Sequence, residues 1–327
     1  LKPVAELEKD LALGGQHPMW DRDDVHDIYR GWRKVFEEYD PPLAAVAEAW
    51  VLPSRRGRYA SPEGLGQAFN FDLLEAEWSA DEFRTIITRN LDEVAETGTS
   101  STWVLSNHDV VRHPTRYGLG GDRTSFDAWL SDGGSPDKVD RATGLRRARA
   151  ATMLMLALPG SSYLYQGEEL GLHEVGDIPD VDRQDPTWKR SGHSLKGRDG
   201  ARVPLPWTST GSSYGFGQNG AHLPQPDWFG LVSVEAERDE PDSTLNLYRE
   251  ALRLRRAHRG AEQLSWADDG SYPTTVVAFS RPGGWHCVTN MGTEPAAPPD
   301  GEMLLASGPL DEDGLLPPDT TVWLRAT

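Results

Sequence analysis

Three short segments end in side chains able to move protons or hold charge. They are Glu48 in AEAWV (47–51), His108-Asp109 in TWVLSNHD (102–109), and Gln166-Gly167-Glu168-Glu169 in SSYLYQGEE (161–169). Each closes an apolar run of strand character. In a βα barrel the C-terminal strand ends converge on one mouth, where the active site lies. Two carboxylates there suit glycosyl transfer, one acting as acid while another attacks or stabilises an oxocarbenium-like state. A carboxyl buried against aromatics, as Glu48 beside Trp50 is expected to be, has its pKa raised and can donate a proton. Any single carboxylate of this set can equally cap a strand or hold a helix N-terminus. Three strand ends in register strengthen the functional reading.

Two other motifs compete. Gly215-Phe216-Gly217-Gln218-Asn219-Gly220 formally matches the dinucleotide fingerprint, which needs a strand before it and a helix after it. Ser, Thr and Trp residues precede it and Pro224 and Pro226 follow, so it reads as a loop. GSSYG (211–215) matches the nucleophile elbow, with Asp227 and His258 in the right chain order. No strand ends at Gly211 and no helix starts at Gly215, so the elbow lacks its context. Arg112 either lines the mouth or forms a surface ion pair, the second, structural role being preferred, and Glu168 and Glu169 are read as fixing the loop of the last strand. Trp207 and Trp228 are able to stack on sugar faces, but with 12 Trp in the chain most serve packing.

Alternating elements must position these groups. Asp21–Tyr39 reads as a helix, with Val25, Ile28, Trp32, Val35 and Phe36 at helical spacing and Asp40-Pro41-Pro42 as its stop. Residues 43–51 read as a buried strand, 53–66 as a Gly/Arg-rich loop and 67–74 as a second strand. Ser79 caps a helix running to Glu96, with Glu82 completing a capping box. Residues 102–109 form the third strand. A helix over 137–158, broken by Pro159-Gly160, leads to the fourth at 161–169. Four βα alternations argue for a parallel sheet or barrel, and four strands make half of one.

Residues 171–240 are rich in Pro, Gly, Ser and Asp, a loop of a length that is commonly functional. Leu245–His258 reads as a helix with an Arg-rich face. After it, β-type runs at 274–280, 285–290, 302–306 and 320–326 predict a small antiparallel β domain of sandwich type. The expected organisation is α/β: a partial barrel over 1–260, then a β domain over 261–327.

The chain has 327 residues, with 33 Lys+Arg against 51 Asp+Glu for a net charge of −18, which argues against nucleic acid as a partner. The single cysteine, Cys287, excludes an intrachain disulfide and a thiolate-rich metal site. No apolar run approaches the ~18 residues that span a bilayer, and LKPVAELEKD has no signal-peptide core. No membrane association and a cytoplasmic location are therefore expected. The chain opens on Leu1 instead of Met, from which a longer parent polypeptide is expected.

Taken in order, these segments resemble the α-glucosidase and oligoglucosidase branch of glycoside hydrolase family 13, the α-amylase superfamily. AEAWV is similar to the strand-five motif, which implies Glu48 as general acid/base. SNHD (106–109) is similar to the strand-seven motif, which implies His108 as a sugar ligand in the −1 subsite and Asp109 as transition-state stabiliser. QAFNFDLL (67–74) and YQGEELGL (165–172) resemble the strand-six and strand-eight segments. QDPTWKRSGH (184–193) with GRDGARVPLPW (197–207) resembles a segment whose arginine, here Arg202, holds the non-reducing glucose; Arg198 is carried with it.

The resemblance implies the C-terminal half of a (β/α)8 TIM barrel, strands five to eight. It also implies retaining hydrolysis of maltose, isomaltose or short oligosaccharides, with a small sugar as substrate partner, no cofactor and no metal site among these residues. The family's nucleophile, an Asp in a Gly-Phe-Arg-x-Asp motif, does not occur; neither Asp10 nor Asp21 sits in such a motif. The nucleophile is therefore expected before Leu1, in a missing N-terminal half that would also carry any structural calcium or magnesium site. The isolated chain is expected to be inactive. Two alternatives stay open: a non-catalytic carbohydrate-binding or interaction relative, and a transglucosidase or disaccharide isomerase on the same scaffold. Linkage preference is not readable.

Overall fold

The computed structural model describes residues 14–326 other than 18, 19, 259, 261 and 262; Asp10 lies outside them. The chain divides into two compact units. The first takes Leu1–Leu73, Thr85–Val104 and Gly160–Ser162, and the second takes Leu74–Arg84, Leu105–Pro159 and Tyr163–Thr327.

The first unit is built from α1 (Val25–Phe36), β1 (Ala45–Ala47), α2 (Pro53–Ala60), β2 (Gly66–Ala68), most of α3 (Ala80–Thr97) and β3 (Thr102–Val104). β1 and β2 pair in parallel, Val46 opposite Gln67. β3 and β4 (Ser161–Tyr163) form a second two-stranded sheet. β2 and β3 are joined by a side chain: the Thr102 hydroxyl donates to the Ala68 carbonyl (2.6 Å) and accepts from the Asn70 N–H (3.0 Å).

The strands are shorter than the runs at 43–51 and 67–74 predict. After Ala68 the Asn70 side chain accepts from the Asp72 N–H at 2.9 Å and starts a helical turn, Asp72–Glu75. The expected loop at 53–66 is a helix in its first half. Pro53 occupies the first turn, where its missing N–H costs nothing. Tertiary ion pairs then outweigh the helix-weakening Gly57: Arg55 bonds Asp21 and Asp23, Arg58 bonds Asp23, and Arg56 reaches Asp72.

The capping box of α3 is half formed. The Glu82 N–H reaches the Ser79 hydroxyl at 3.5 Å, while the Glu82 carboxylate accepts from the Glu77 N–H. On α1 most of the apolar set stays outside the core: Val25 packs against the cluster of Ala47, Tyr59 and Leu65, but Ile28, Trp32 and Val35 are about half exposed, in line with Tyr39, and His26 is the buried residue, edge-on to Tyr59.

The second unit holds α4 (His113–Leu119), α5 (Arg123–Ser131), α6 (Arg141–Ala157), α7 (Thr244–Ala257) and a five-stranded sheet. α4 and α5 fill the stretch between the expected strand at 102–109 and the expected helix over 137–158, where the sequence reading placed no element. The sheet strands are β5 (Ser265–Trp266), β6 (Val276–Arg281), β7 (Trp285–Asn290), β8 (Glu302–Ala306) and β9 (Thr320–Arg325), antiparallel in the order β5-β6-β7-β9-β8. Among the described residues this is a single sheet, not the two facing sheets of a sandwich. One face lies against α6, where the Trp323 indole donates to the Met153 carbonyl (3.1 Å) and the Thr321 hydroxyl to that of Ala150 (2.9 Å). The other face is closed by Ala296 and Leu316.

α6 starts on Asp140, whose carboxylate accepts from the Thr143 N–H. Its last two turns are buried on every side, as befits a helix apolar all round. Truncating Leu154, fully buried there, costs roughly 2–5 kcal/mol. Arg255 and Arg281 donate to the carbonyls of Leu158 and Ala157 at its C-terminus. Arg255 thus turns inward from the Arg-rich face of the helix, while Arg253 pairs with Glu250 on the surface. The stretch 171–240 is irregular but has its own core, Leu172, Val175, Ile178, Val203, Leu223 and Phe229. Among the described residues no helix is long and apolar enough to cross a membrane.

Candidate active site

In the second unit the turn after β3 is fixed from within. The Asn107 side chain accepts from the Asp109 N–H at 2.8 Å, and buried Ser106 accepts from the His113 N–H, the start of α4, at 3.0 Å. This turn presents His108, which is exposed, and Asp109, which is partly exposed. Asp109 Oδ1 accepts from Arg198 Nη1 (2.7 Å) and Arg202 Nη2 (2.9 Å), and His108 Nε2 lies 3.4 Å from the same oxygen. Arg202 Nε donates to the His108 carbonyl at 2.9 Å, so one guanidinium spans the dipeptide. Partly exposed pairs of this kind contribute about 1 kcal/mol or less each. Their worth is geometric: one carboxylate held by two forked donors.

The arginines come from the segment 197–202, and a buried carboxylate sets their position. Asp185 is the N-cap of a short helix, Pro186–Arg190, accepting from the Thr187 N–H at 2.9 Å. It also accepts from Arg198 Nε (2.6 Å) and the Arg198 N–H (3.0 Å). Burial pushes the Asp185 carboxyl up, but the bonds from Arg198 and Thr187 outweigh it and hold it well below the usual carboxylate range. The same bond to Asp185, opposed by burial and joined by Asp109, raises Arg198. Gly197 has φ +76°, and a Cβ there would sit 2.8 Å from Asp185 Cβ, so a side chain at 197 would push Arg198 off its partner. Buried Asp199 completes the layer, accepting from the Gln184 and Asp185 N–H groups at 2.9 and 3.0 Å.

Arg112 makes no surface ion pair. It is buried, donates to the carbonyls of Gln166 and Ala201 (2.9 Å each), stacks on Tyr165 and offers its N–H to Glu174 at 3.0 Å. It therefore locks the 166 and 201 loops together. Glu168 and Glu169 serve that loop too, accepting from the N–H groups of Tyr165 (3.1 Å) and Gly167 (2.8 Å). Burial raises Glu168 to about 8 and Glu174 to about 7. Burial also lowers His173, beside Thr115, to about 4. Trp228 packs under the Arg141 guanidinium, 4.5 Å away, whereas Trp207 is half exposed. Ser213, the elbow serine, donates to the Gly217 carbonyl, and no strand precedes it.

Glu48 lies in the first unit, directly after β1. It is exposed, which corrects the expectation of a carboxyl buried beside Trp50. Trp50 instead stacks on Phe71, ring centroids 4.5 Å apart, and turns its apolar surface to that neighbour. Asp21 is tied to Arg55 and to the Tyr59 hydroxyl (2.8 Å). The structure thus brings His108, Asp109, Arg198 and Arg202 together and places Glu48 in the other unit. The sequence reading missed Asp185, Asp199 and Glu174. Asp185 had a legible signal, an acidic residue immediately before a proline at a helix start. Among the described residues no group of three or more His, Cys, Asp or Glu gathers as for a metal.

The sequence model of the alpha amylase catalytic domain matches residues 3–263, and the chain belongs to that family. Among curated relatives it is 30% identical over 238 residues to a probable alpha-glucosidase of Rhizobium meliloti (strain 1021), covering 71% of this chain and 38% of that protein. It is 25% identical over 282 residues to an oligo-1,6-glucosidase of Parageobacillus thermoglucosidasius, covering 76% of this chain and 46% of that protein. The chain thus spans less than half the length of these two relatives. Among solved structures, the alpha-glucosyl transfer enzyme XgtA superposes with a TM-score of 0.73 at 26% identity, over 94% of this chain and 55% of that one. Family and structural likeness together give a βα-barrel fold with an antiparallel sheet domain.

Proposed function

We propose that residues 1–327 supply the C-terminal half of the (β/α)8 barrel of a retaining α-glucosidase, with the family's β domain over about 261–327. The observation that carries this reading is Asp109 gripped by Arg198 and Arg202 beside His108, in a chain of the alpha-amylase family. The half-exposed stripe of Ile28, Trp32, Val35 and Tyr39 supports it, as does β1, paired on one edge only among the described residues. A half barrel leaves such faces for its other half.

In this reading Glu48 gives its proton to the glycosidic oxygen while an aspartate nucleophile attacks the anomeric carbon, forming a glucosyl ester and releasing the aglycone alcohol. Glu48, now a carboxylate, takes a proton from water as that water's oxygen displaces the ester carboxylate, and glucose leaves with its α configuration. Asp109 offsets the positive charge that develops on the sugar ring, and with His108 it holds the 2- and 3-hydroxyl region. Arg202 and Arg198 orient the terminal glucose of maltose, isomaltose or a short oligosaccharide. No Gly-Phe-Arg-x-Asp motif occurs in the 327 residues, so the nucleophile comes from outside them and the isolated chain turns over no α-glucoside. The protein's own residues need no cofactor for these steps.

The likeness to an alpha-glucosyl transfer enzyme favours one second reading, in which a sugar hydroxyl replaces water at the second step. For either outcome the test is leaving-group dependence in a protein with the complete barrel. Glu48→Gln should slow maltose by roughly 10²–10⁴-fold and p-nitrophenyl α-glucoside far less in the first step, because nitrophenolate leaves without a proton. Equal turnover of maltose by Glu48→Gln and wild type overturns the assignment.

A further inference from the structure

We infer that Arg112 is a positioning residue for Arg202: it holds the peptide that carries this arginine and so sets one of the two grips on Asp109. All the residues involved lie in the second unit. That the gripped carboxylate serves a sugar rests on the glucosidase reading; the positioning of Arg202 does not.

Asp109 Oδ1 takes one donor from each of two arginines, and the two are anchored separately. Arg198 is fixed from behind by buried Asp185, through its Nε at 2.6 Å and its N–H at 3.0 Å. Arg202 pairs with no carboxylate but Asp109 among the described residues. Its guanidinium reaches forward only, to Asp109 and to the His108 carbonyl, at 2.9 Å each. What fixes Arg202 from behind is its backbone. The carbonyl of Ala201, the residue before it, accepts from Arg112 Nη2 and from the Tyr165 hydroxyl, both at 2.9 Å. The Tyr165 ring also lies against the Arg112 guanidinium, 4.9 Å away, so the two donors orient each other. Ala201 and Arg112 are buried, and hydrogen bonds in such a low-dielectric setting are stronger than in water.

Arg112 is itself held at both ends. Its Nη1 donates to the Gln166 carbonyl at 2.9 Å and its N–H to the buried Glu174 carboxylate at 3.0 Å. Glu174 packs in turn on Gly200, where an added Cβ would overlap the carboxylate, so the segment 200–202 lies directly on it. Asp109 and Arg112 belong to the same turn, three residues apart before α4. One guanidinium therefore sets the distance from the turn of Asp109 to the peptide that carries Arg202. It does so with a rigid planar fork. Without it, Tyr165 is the one side chain left on the Ala201 carbonyl among the described residues. A misplacement on the order of 1 Å in a group that positions substrate costs up to about 100-fold in rate.

The test that stands apart from the glucosidase reading is nitrogen NMR of the protein, following solvent exchange of the Arg198 and Arg202 Nε–H groups in wild type and in Arg112→Met. Arg202 should exchange about tenfold faster in the variant, the change expected when a hydrogen bond from a charged donor is lost. Arg198, anchored on Asp185, should keep its rate. Equal acceleration at both arginines means general loosening, and no change at Arg202 means that Arg112 does not place it; either result overturns the inference. Tyr165→Phe, which removes the other donor to Ala201 and keeps the ring, serves if Arg112→Met does not fold, with the same selectivity and a smaller change expected. The second test is a double-mutant cycle of α-glucoside turnover in a protein with the complete barrel. Arg112→Met should lower kcat/KM by roughly 10–100-fold in the wild-type background and change it little in Arg202→Ala, because its effect passes through Arg202. Equal factors in the two backgrounds overturn the inference. A complete wild-type barrel without turnover refutes the glucosidase reading instead, and the exchange rates then decide the role of Arg112 by themselves.

Discussion

Replacing Asp185 by alanine tests the layer that positions the arginines. The carboxylate side chain is fully buried and accepts four bonds, from Arg198 Nε, Nη2 and N–H and from the Thr187 N–H. Removing it strands two backbone N–H groups and a guanidinium. Deleting one member of a buried pair costs about 3–5 kcal/mol. Arg198 is about one-third exposed and recovers some hydration, so the lower end, about 3 kcal/mol, is the expected loss.

With a urea m-value near 3 kcal/mol/M the unfolding midpoint should fall by about 1 M. Asp185→Asn, which keeps an acceptor for Thr187, should lose about half as much. The deficit should also depend on pH. The folded carboxyl titrates well below its usual value, so its contribution is present above about pH 4 and fades as pH falls through the lower, folded value. Urea unfolding at pH 7 and pH 3 reads both effects. A loss under about 0.5 kcal/mol, or one equal at the two pH values, refutes the reasoning.

Glu168 gives the opposite sign. Its folded value of about 8 lies above the ordinary 4.5, so its contribution is complete below about pH 4.5 and is lost as pH rises through 8. Glu168→Gln should flatten stability across that window in part, since Glu174, at about 7, titrates in the same direction; an unchanged slope in thermal melts contradicts this. Arg112→Met strands the Gln166 and Ala201 carbonyls and should cost about 3 kcal/mol in chemical denaturation, against near neutrality if the arginine were a surface ion pair. Trp32→Glu, on the half-exposed stripe of α1, should reduce binding of an apolar dye without lowering Tm; unchanged dye binding would mean that the stripe is not the exposed apolar surface.

The parts legible in the sequence were those in which one local pattern dominates. The β runs from 274 to 326 and the helix after Asp140 alternate or repeat clearly, and both stand where the pattern puts them. α2 was not legible, because Gly57 and three arginines read as loop until Asp21, Asp23 and Asp72, distant in sequence, neutralise them. α1 misled in a different way. Its apolar spacing reports a helix correctly but says nothing of which partner covers the stripe. His108, Asp109, Arg198 and Arg202 could be chosen by motif, and the structure gathers them. Asp185 and Arg112 act through contacts 13 to 89 residues away, which no short pattern encodes. The environment of Glu48 was misjudged because neighbouring Trp50 spends its ring face on Phe71.

The most direct test of the central claim is an assay of α-glucoside turnover by residues 1–327 alone and by the same residues preceded by a barrel half carrying Gly-Phe-Arg-x-Asp, with the first sugar released followed by proton NMR. The account predicts no turnover by 1–327 alone and release of α-glucose, before mutarotation, by the completed barrel. Turnover by the isolated chain, or β-glucose as the first product, would contradict it.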